Sequence, residues 1–76
     1  MSRNAEVAAV LEADADLMEA EDDAYRPGVY RRAAESVREH PTPVESLVAE
    51  GPEAVAEIDG VGEGIAGHVV DYVETG

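Results

Sequence analysis

Apolar residues along the chain recur at the spacing of α-helices. The first such segment runs from Ala5 to about Glu21, and Asn4 before it is a suitable N-cap. Its apolar face is formed by Val7, Val10, Leu11, Leu17 and Met18. Asp14 interrupts this face, so we expect the first helix to be the least secure element of the fold.

A second helix is predicted from Val29 to Glu39. Pro27 beside Gly28 predicts a turn before it, and Pro41 ends it because proline disfavours helical geometry in the preceding residue. The predicted buried side consists of Tyr30, Ala33, Ala34 and Val37.

Three shorter segments complete the pattern. A third helix is predicted from Pro43 to about Glu50 with Thr42 as its cap, followed by one turn from Glu53 to Glu57. The last helix begins near Glu63, and its apolar face carries Ile65, Val69, Tyr72 and Val73. Strand periodicity is absent, so the sequence predicts an all-α fold: a compact bundle of four to five short helices forming one domain over residues 1–76.

A glycine-spaced segment, residues 58–66, precedes the last helix. Gly60 and Gly62 allow a tight turn and a close approach of the backbone to a ligand. The helix that follows directs free N–H groups and its positive dipole end at the same place, which suits a phosphate. Glycines between helices also serve simply as connections, but three of them, at 60, 62 and 64, favour anion binding. We expect a helix-hairpin-helix element here.

A short internal similarity suggests two related halves. Pro27-Gly28-Val29 and Asp59-Gly60-Val61 lie 32 residues apart, a register that aligns Ala34 with Ala66 and Val37 with Val69. Chance is the alternative explanation for so short a match. If the repeat is real, the domain has two pseudo-symmetric halves, with a degenerate, mainly structural first hairpin at residues 26–30.

Charge complicates the expectation of a phosphate site. The 76 residues include 18 carboxylates and 5 basic side chains, all of them arginine, and the net charge is −13. Nucleic-acid binders normally show a basic footprint. An acidic surface does fit a salty cytoplasm, where repulsion is screened over about 3 Å at 1 M salt. The absence of Lys, Phe, Trp and Cys and the Ala- and Val-rich apolar positions also fit a halophilic protein.

Other compositional features narrow the class of protein. Disorder is disfavoured because 45% of the residues are apolar and they fall in helical periods. No apolar run is long enough to cross a membrane, and no secretory signal is present, so we expect a cytoplasmic location and no membrane partner.

Five motifs occur in the order and spacing of a known domain. They are NAEV at 4–7, DLME at 16–19, VYRRAA at 29–34, IDGVGEGIA at 58–66 and YVETG at 72–76. Together they resemble the N-terminal, polymerase-beta lyase-type domain of family X DNA polymerases, and most closely that of halophilic archaea. Those relatives continue beyond the last motif, so we expect an excised or redesigned version of the domain.

This resemblance implies a set of DNA-binding residues. Arg26 and Tyr30 match a 5′-phosphate pocket that Arg31 and Arg32 extend. The hairpin contacts would come from Gly60, Val61, Gly62, Gly64 and Ile65. The simpler interpretation is that Tyr30 belongs to the core and that the arginines pair with neighbouring acids.

The family's lyase reaction requires an amine that attacks an aldehyde as a Schiff base. Its nucleophilic lysine aligns with His68, and a second phosphate-binding lysine aligns with Gly64. Imidazole forms no iminium, and a lone histidine is more often structural or solvated. No residue corresponds to the polymerase catalytic residues. We therefore expect DNA binding without enzymatic activity.

The resemblance also implies a monovalent cation, K⁺ or Na⁺, at the hairpin. It would lie at the backbone carbonyls of Ala56, Ile58 and Val61. The acidic side chains beside the hairpin favour a cation and repel a bare phosphate.

The leading hypothesis is a monomer that binds double-stranded or gapped DNA without sequence specificity, as the N-terminal DNA- and 5′-phosphate-binding domain of a family X repair polymerase. Two alternatives stay open. One is an acidic protein-interaction module of the sterile-alpha-motif type, and the other is a halophilic scaffold that binds nothing.

Overall fold

The structure is a computed structural model that describes residues 2–22 and 26–75. These ranges contain no β-strand and five helices: α1 (Asn4–Ala20), α2 (Arg26–Glu39), α3 (Val44–Glu50), α4 (Pro52–Ala56) and α5 (Glu63–Thr75). The predicted all-α fold is confirmed. Within the same ranges, no helix is long and apolar enough to cross a membrane.

One apolar core joins all five helices. α1 packs mainly on α2, α4 packs on α5, and α3 contacts both members of the second pair. Small side chains dominate, as the sequence predicted. The buried members are Val7, Ala8, Leu11, Ala15, Tyr30, Ala33, Ala34, Val37, Val44, Val48, Val55, Ile58, Val61, Ile65, Ala66 and Val69.

The buried face of α1 is shorter than predicted. Leu17 is 65% exposed, although the apolar pattern placed it in the core. At about 100° per residue, Leu17 lies roughly 120° around the helix from Leu11, which is buried. The buried stripe instead ends at Ala15, and Met18 packs only at its edge. The final turn of α1 therefore leaves a large apolar side chain in solvent.

Asn4 has a different role from the one predicted. The first helix begins at Asn4 itself, and no side chain caps it. The Asn4 side chain is buried at 4% exposure, and its oxygen accepts the N–H of Val44, the first residue of α3, at 2.7 Å. Its Nδ2 lies 3.1 Å from the carbonyl oxygen of Val37. Asn4 is therefore a cap, but for α3 rather than for α1.

The turn predicted at Pro27 and Gly28 is wrong, because α2 already begins at Arg26 and includes both residues. Proline is compatible with a first helical turn because the N–H it lacks has no partner there. Residues 26–30 are thus helical, and the connection before them includes residues 23–25, outside the described ranges. A degenerate first hairpin stays a prediction. Both alanines and both valines that the proposed repeat aligns are buried: Ala34, Ala66, Val37 and Val69.

The later helix starts were predicted to within one residue. α3 begins at Val44 with Pro43 in the N-cap position, so Thr42 is not its cap. α4 begins at Pro52, directly after Gly51, whose φ of +121° suits glycine. α5 begins at Glu63 as expected. On its apolar face Ile65 and Val69 are buried, and Tyr72 and Val73 are partly buried against the core.

Candidate nucleic-acid interface

The hairpin between α4 and α5 is fixed by its own backbone and by two buried side chains. Ile58 and Val61 are both buried, and the N–H of Val61 donates to the carbonyl oxygen of Ile58 at 2.9 Å. Gly60 between them has a φ of +82°, a left-handed conformation that side chains disfavour. The turn is therefore anchored in the core on both sides of Gly60.

The start of α5 carries unsatisfied backbone donors. The first bond into this helix runs from the N–H of Ala66 to the carbonyl oxygen of Gly62, at 2.8 Å. In the described part of the chain, the N–H groups of Gly62, Glu63 and Gly64 have no acceptor. All three residues are exposed. Orphan N–H groups at the positive end of a helix dipole form a suitable anion site.

A groove of about 420 Å³ joins this helix start to the start of α2. We call it the phosphate groove. One wall is formed by α2 and consists of Arg26, Val29 and Tyr30. The other consists of Gly62, which precedes α5, and of Gly64, Ile65 and His68 within α5. The fold thus brings together five of the residues that the sequence assigned to DNA binding. A guanidinium, a phenol and exposed backbone donors line one concave surface.

Tyr30 satisfies both interpretations that the sequence left open. Its side chain belongs to the core at 7% exposure, yet it also lines the groove. Burial raises the pKa of Tyr30, the charge of Asp14 raises it further, and the Arg26 guanidinium opposes both effects. The phenol therefore stays protonated at neutral pH and can donate a hydrogen bond.

His68 is an exposed residue of the groove rather than a core residue. Its ring centroid lies 6.2 Å from that of Tyr30, with the two planes tilted by 59°. Protonated imidazole donates from both nitrogens. The position that the resemblance aligned with a lysine thus retains a side chain able to contact an anion.

The predicted arginine cluster divides among three places. Arg26 lines the phosphate groove. Arg31 binds α1 instead, with its guanidinium 2.9 Å from Asp16 and 3.1 Å from Glu19. Arg31 is absent from the lining of the groove.

Arg32 lies over the hairpin. Its Nη2 is 2.8 Å from Asp59 Oδ2, and its side-chain carbons cover the α-carbon of Gly60. A β-carbon at Gly60 would come within 3.2 Å of Arg32 Cγ. Arg32 therefore places a positive charge beside the hairpin and helps to position the turn.

A match to a known protein family identifies the type of domain. The family model described as a helix-hairpin-helix domain matches residues 2–76. The chain belongs to the helix-hairpin-helix domain family. Domains of this family generally bind DNA without sequence specificity. Neither the curated proteins nor the solved structures give a significant match.

The hairpin of this helix-hairpin-helix domain also contains the carbonyls that were assigned to a monovalent cation. Ala56 is the last residue of α4, where helical carbonyls lack intrahelical partners. The Ile58 carbonyl already accepts the N–H of Val61 but has a second lone pair. Val61, whose side chain is apolar and buried, offers only its backbone carbonyl. Neutral oxygens at the negative end of a helix suit K⁺ or Na⁺.

Sequence analysis missed a second groove beside the first. It is lined by Asp14, Leu17 and Met18 of α1, by Glu21 directly after that helix, and by Tyr30 and His68. Tyr30 and His68 thus separate two concave surfaces of the helix-hairpin-helix domain. Leu17, which the apolar pattern assigned to the buried face of α1, lines this groove instead. Its position about 120° around the helix from Leu11 was the available signal.

Proposed function

We propose that this helix-hairpin-helix domain binds double-stranded or gapped DNA through its backbone phosphates and takes a 5′-phosphate in the phosphate groove. The observation that carries the proposal is the convergence of Arg26 and Tyr30 with the exposed start of α5 in one groove. Each supplies donors to an anion, and none is arranged to recognise a base edge. We further propose that the domain serves as the N-terminal domain of a family X repair polymerase.

Glycine allows the backbone to reach the phosphate. Apart from chain neighbours and the backbone of α5 itself, no atom of the described residues lies within 4 Å of the place where a β-carbon would be at Gly62 or Gly64. The space that a side chain would occupy is therefore open to a ligand, whose oxygens can approach the N–H groups directly. Arg26 adds charge and the Tyr30 phenol adds a hydrogen bond.

The proposal includes binding without lyase chemistry. The groove has an imidazole at position 68 and no lysine, since the sequence contains none. A Schiff base on this domain would need the α-amino group of the chain. Borohydride trapping on an abasic 5′ end should therefore give no adduct beyond one at the N-terminus. An adduct mapped to a side chain would contradict this part.

A monovalent cation at the hairpin would reconcile phosphate binding with the acidic surface. The carbonyls of Ala56, Ile58 and Val61 would hold it, and its charge would offset the carboxylates of Glu57 and Glu63 nearby. K⁺ is the natural choice in the halophilic cytoplasm that we propose for this protein. Replacing KCl by an equal concentration of tetramethylammonium chloride, whose cation is too large for such a site, should weaken DNA binding.

The decisive experiment is a titration of gapped duplex DNA, followed by fluorescence anisotropy over a KCl series. A gap with a 5′-phosphate should bind more tightly than the same gap with a 5′-hydroxyl. The preference should be independent of flanking sequence. Equal affinities for the two ends would exclude a dedicated phosphate site while leaving general DNA binding intact.

Circular dichroism over the same KCl series tests the halophilic proposal. Repulsion among 18 carboxylates opposes folding, so helicity should rise with KCl. DNA contacts weaken with salt while the folded fraction grows, and apparent affinity should therefore pass through a maximum or stay nearly flat. Full helicity without added salt would contradict the halophilic assignment. We propose that the domain acts as a monomer, and light scattering on the same samples measures its mass.

A further inference from the structure

A separate groove lies between α4 and α5, on another face of α5 from the phosphate groove. It measures about 330 Å³ and shares no lining residue with the phosphate groove. We call it the acidic groove. Its accessible apolar surface comes from Pro52 and Ala56, with Ala66 beneath at 1% exposure, and its carboxylates are Glu53, Glu57 and Glu63.

The three carboxylates of the acidic groove are not neutralised by the protein. None of Glu53, Glu57 and Glu63 has a salt bridge or hydrogen-bonded side-chain partner in the described ranges. The ion pairs of Arg3, Arg31, Arg32 and Arg38 are made with other acids, namely Glu6, Asp16, Glu19, Asp59 and Glu12. Three negative charges without a described ion-pair partner therefore surround one small concavity.

The apolar surface between these charges distinguishes the groove from an ordinary solvated acidic face. A hydrated metal ion would gain nothing from Ala56, Ala66 and Pro52. Lysine and arginine side chains, in contrast, combine an aliphatic stem with a cationic head, and they bury the stem on apolar surface while the head stays near water and carboxylates. A nucleic acid is excluded as the occupant because its phosphates would meet three carboxylates.

We propose that the acidic groove binds a lysine- or arginine-bearing segment of a partner protein. Charge complementarity and the apolar floor select this occupant. The cationic head lies among Glu53, Glu57 and Glu63, and the stem lies against Pro52 and Ala56. The acidic groove shares no lining residue with the phosphate groove, although Ala56, Glu57 and Glu63 also lie at the proposed cation site.

The test uses a fluorescein-labelled peptide of alternating lysine and leucine and measures its anisotropy against three proteins. The first is the wild type. The second carries E53Q, E57Q and E63Q together, and the third carries E35Q, E39Q and E74Q on exposed sites outside the acidic groove. Both triple variants remove the same charge. The KCl concentration is one at which circular dichroism shows all three to be equally helical.

The E53Q, E57Q and E63Q protein should bind the peptide about tenfold more weakly than the wild type. The E35Q, E39Q and E74Q protein should bind it with an affinity within about twofold of the wild type. Ala56→Leu tests the apolar floor without a change of charge, since the larger side chain should fill the groove and weaken peptide binding similarly. A peptide with serine in place of leucine should bind the wild type more weakly.

Equal losses in the two triple variants would show that only overall acidity attracts the peptide, and the proposal would be overturned. Unchanged affinity in a folded Ala56→Leu protein would overturn it as well. A parallel titration with gapped DNA separates this proposal from the phosphate groove. There Glu53→Gln, which changes the one carboxylate of the acidic groove that is not beside the proposed cation, should leave DNA affinity within about twofold of the wild type.

Discussion

The side-chain oxygen of Asn4 accepts the backbone N–H of Val44 at 2.7 Å, so a residue in the first turn of α1 caps the start of α3. The Nδ2 group of the same side chain lies within 3.2 Å of the carbonyl oxygens of Val37, His40 and Thr42. One buried amide thus joins α1 to the end of α2 and to the connection that leads into α3.

Asn4→Ala should therefore lower the free energy of unfolding by about 2–3 kcal/mol, because it leaves buried backbone groups without partners. Thermal unfolding followed by circular dichroism at fixed KCl measures the change. Thr75→Ala is a suitable control, since among the described residues the Thr75 hydroxyl donates just one hydrogen bond, to the carbonyl oxygen of Asp71 at an exposed helix end. Equal stability of Asn4→Ala and wild type would show that the amide does not organise the α2–α3 connection.

The two glycines of the hairpin should respond differently to alanine. Gly60→Ala should destabilise the fold by about 1–2 kcal/mol, since its φ of +82° is left-handed and its β-carbon would meet Arg32. Gly62→Ala has open space, so it should keep full helicity and lose DNA affinity by about tenfold as the new methyl group blocks the phosphate.

Gly67→Ala provides the control for both glycine variants, because Gly67 also has open space but lines neither the phosphate groove nor the acidic groove. Stability from thermal unfolding and affinity from anisotropy are measured on the same samples. Wild-type DNA affinity in a folded Gly62→Ala protein would place the phosphate contact elsewhere.

Arg26 and Arg31 offer a charge-matched pair of variants. Arg26→Ala removes a cation from the phosphate groove and should weaken DNA binding by roughly tenfold at every sequence alike, with a shallower salt dependence. Arg31→Ala removes the same charge from a site outside the phosphate groove, where the guanidinium lies against Asp16 and Glu19 of α1. The DNA affinity of Arg31→Ala should therefore stay within about twofold of the wild-type value. Equal losses in the two variants would mean that net charge, not the groove, determines binding.

The contact between Glu12 and Arg38 should make stability depend on pH. Arg38 Nη2 lies 2.8 Å from Glu12 Oε1, and this hydrogen bond holds the pKa of the Glu12 carboxyl below its usual range. The stabilisation is complete above the unfolded-state pKa of about 4.3 and is lost as the pH falls through the lower folded-state value.

Glu12→Gln should accordingly melt at a lower temperature than the wild type at pH 7, and the difference should shrink as the pH falls below about 4. Glu35→Gln, an exposed carboxylate without a salt bridge in the described ranges, serves as the control and should show no such loss. A difference that stays constant down to pH 2 would contradict the assigned cause.

The sequence by itself determined the helices and the hairpin. Apolar spacing predicted all five helices, because burial on one side of a helix requires apolar residues every three or four positions. Gly60 marked the turn, since its left-handed φ is a local property of the backbone. Prediction was less accurate where one rule was applied alone: Pro27 and Gly28 suggested a turn, but both are compatible with a first helical turn.

Only the tertiary structure decided which polar side chains act together. Asn4 looked like a local cap, yet its partners lie more than thirty residues away along the chain. Arg26 and Arg31, five residues apart on α2, face different neighbours: one lines the phosphate groove and the other pairs with α1. Hydrogen bonds and ion pairs are short-range, so their partners depend on how helices pack against one another, which local periodicity does not encode.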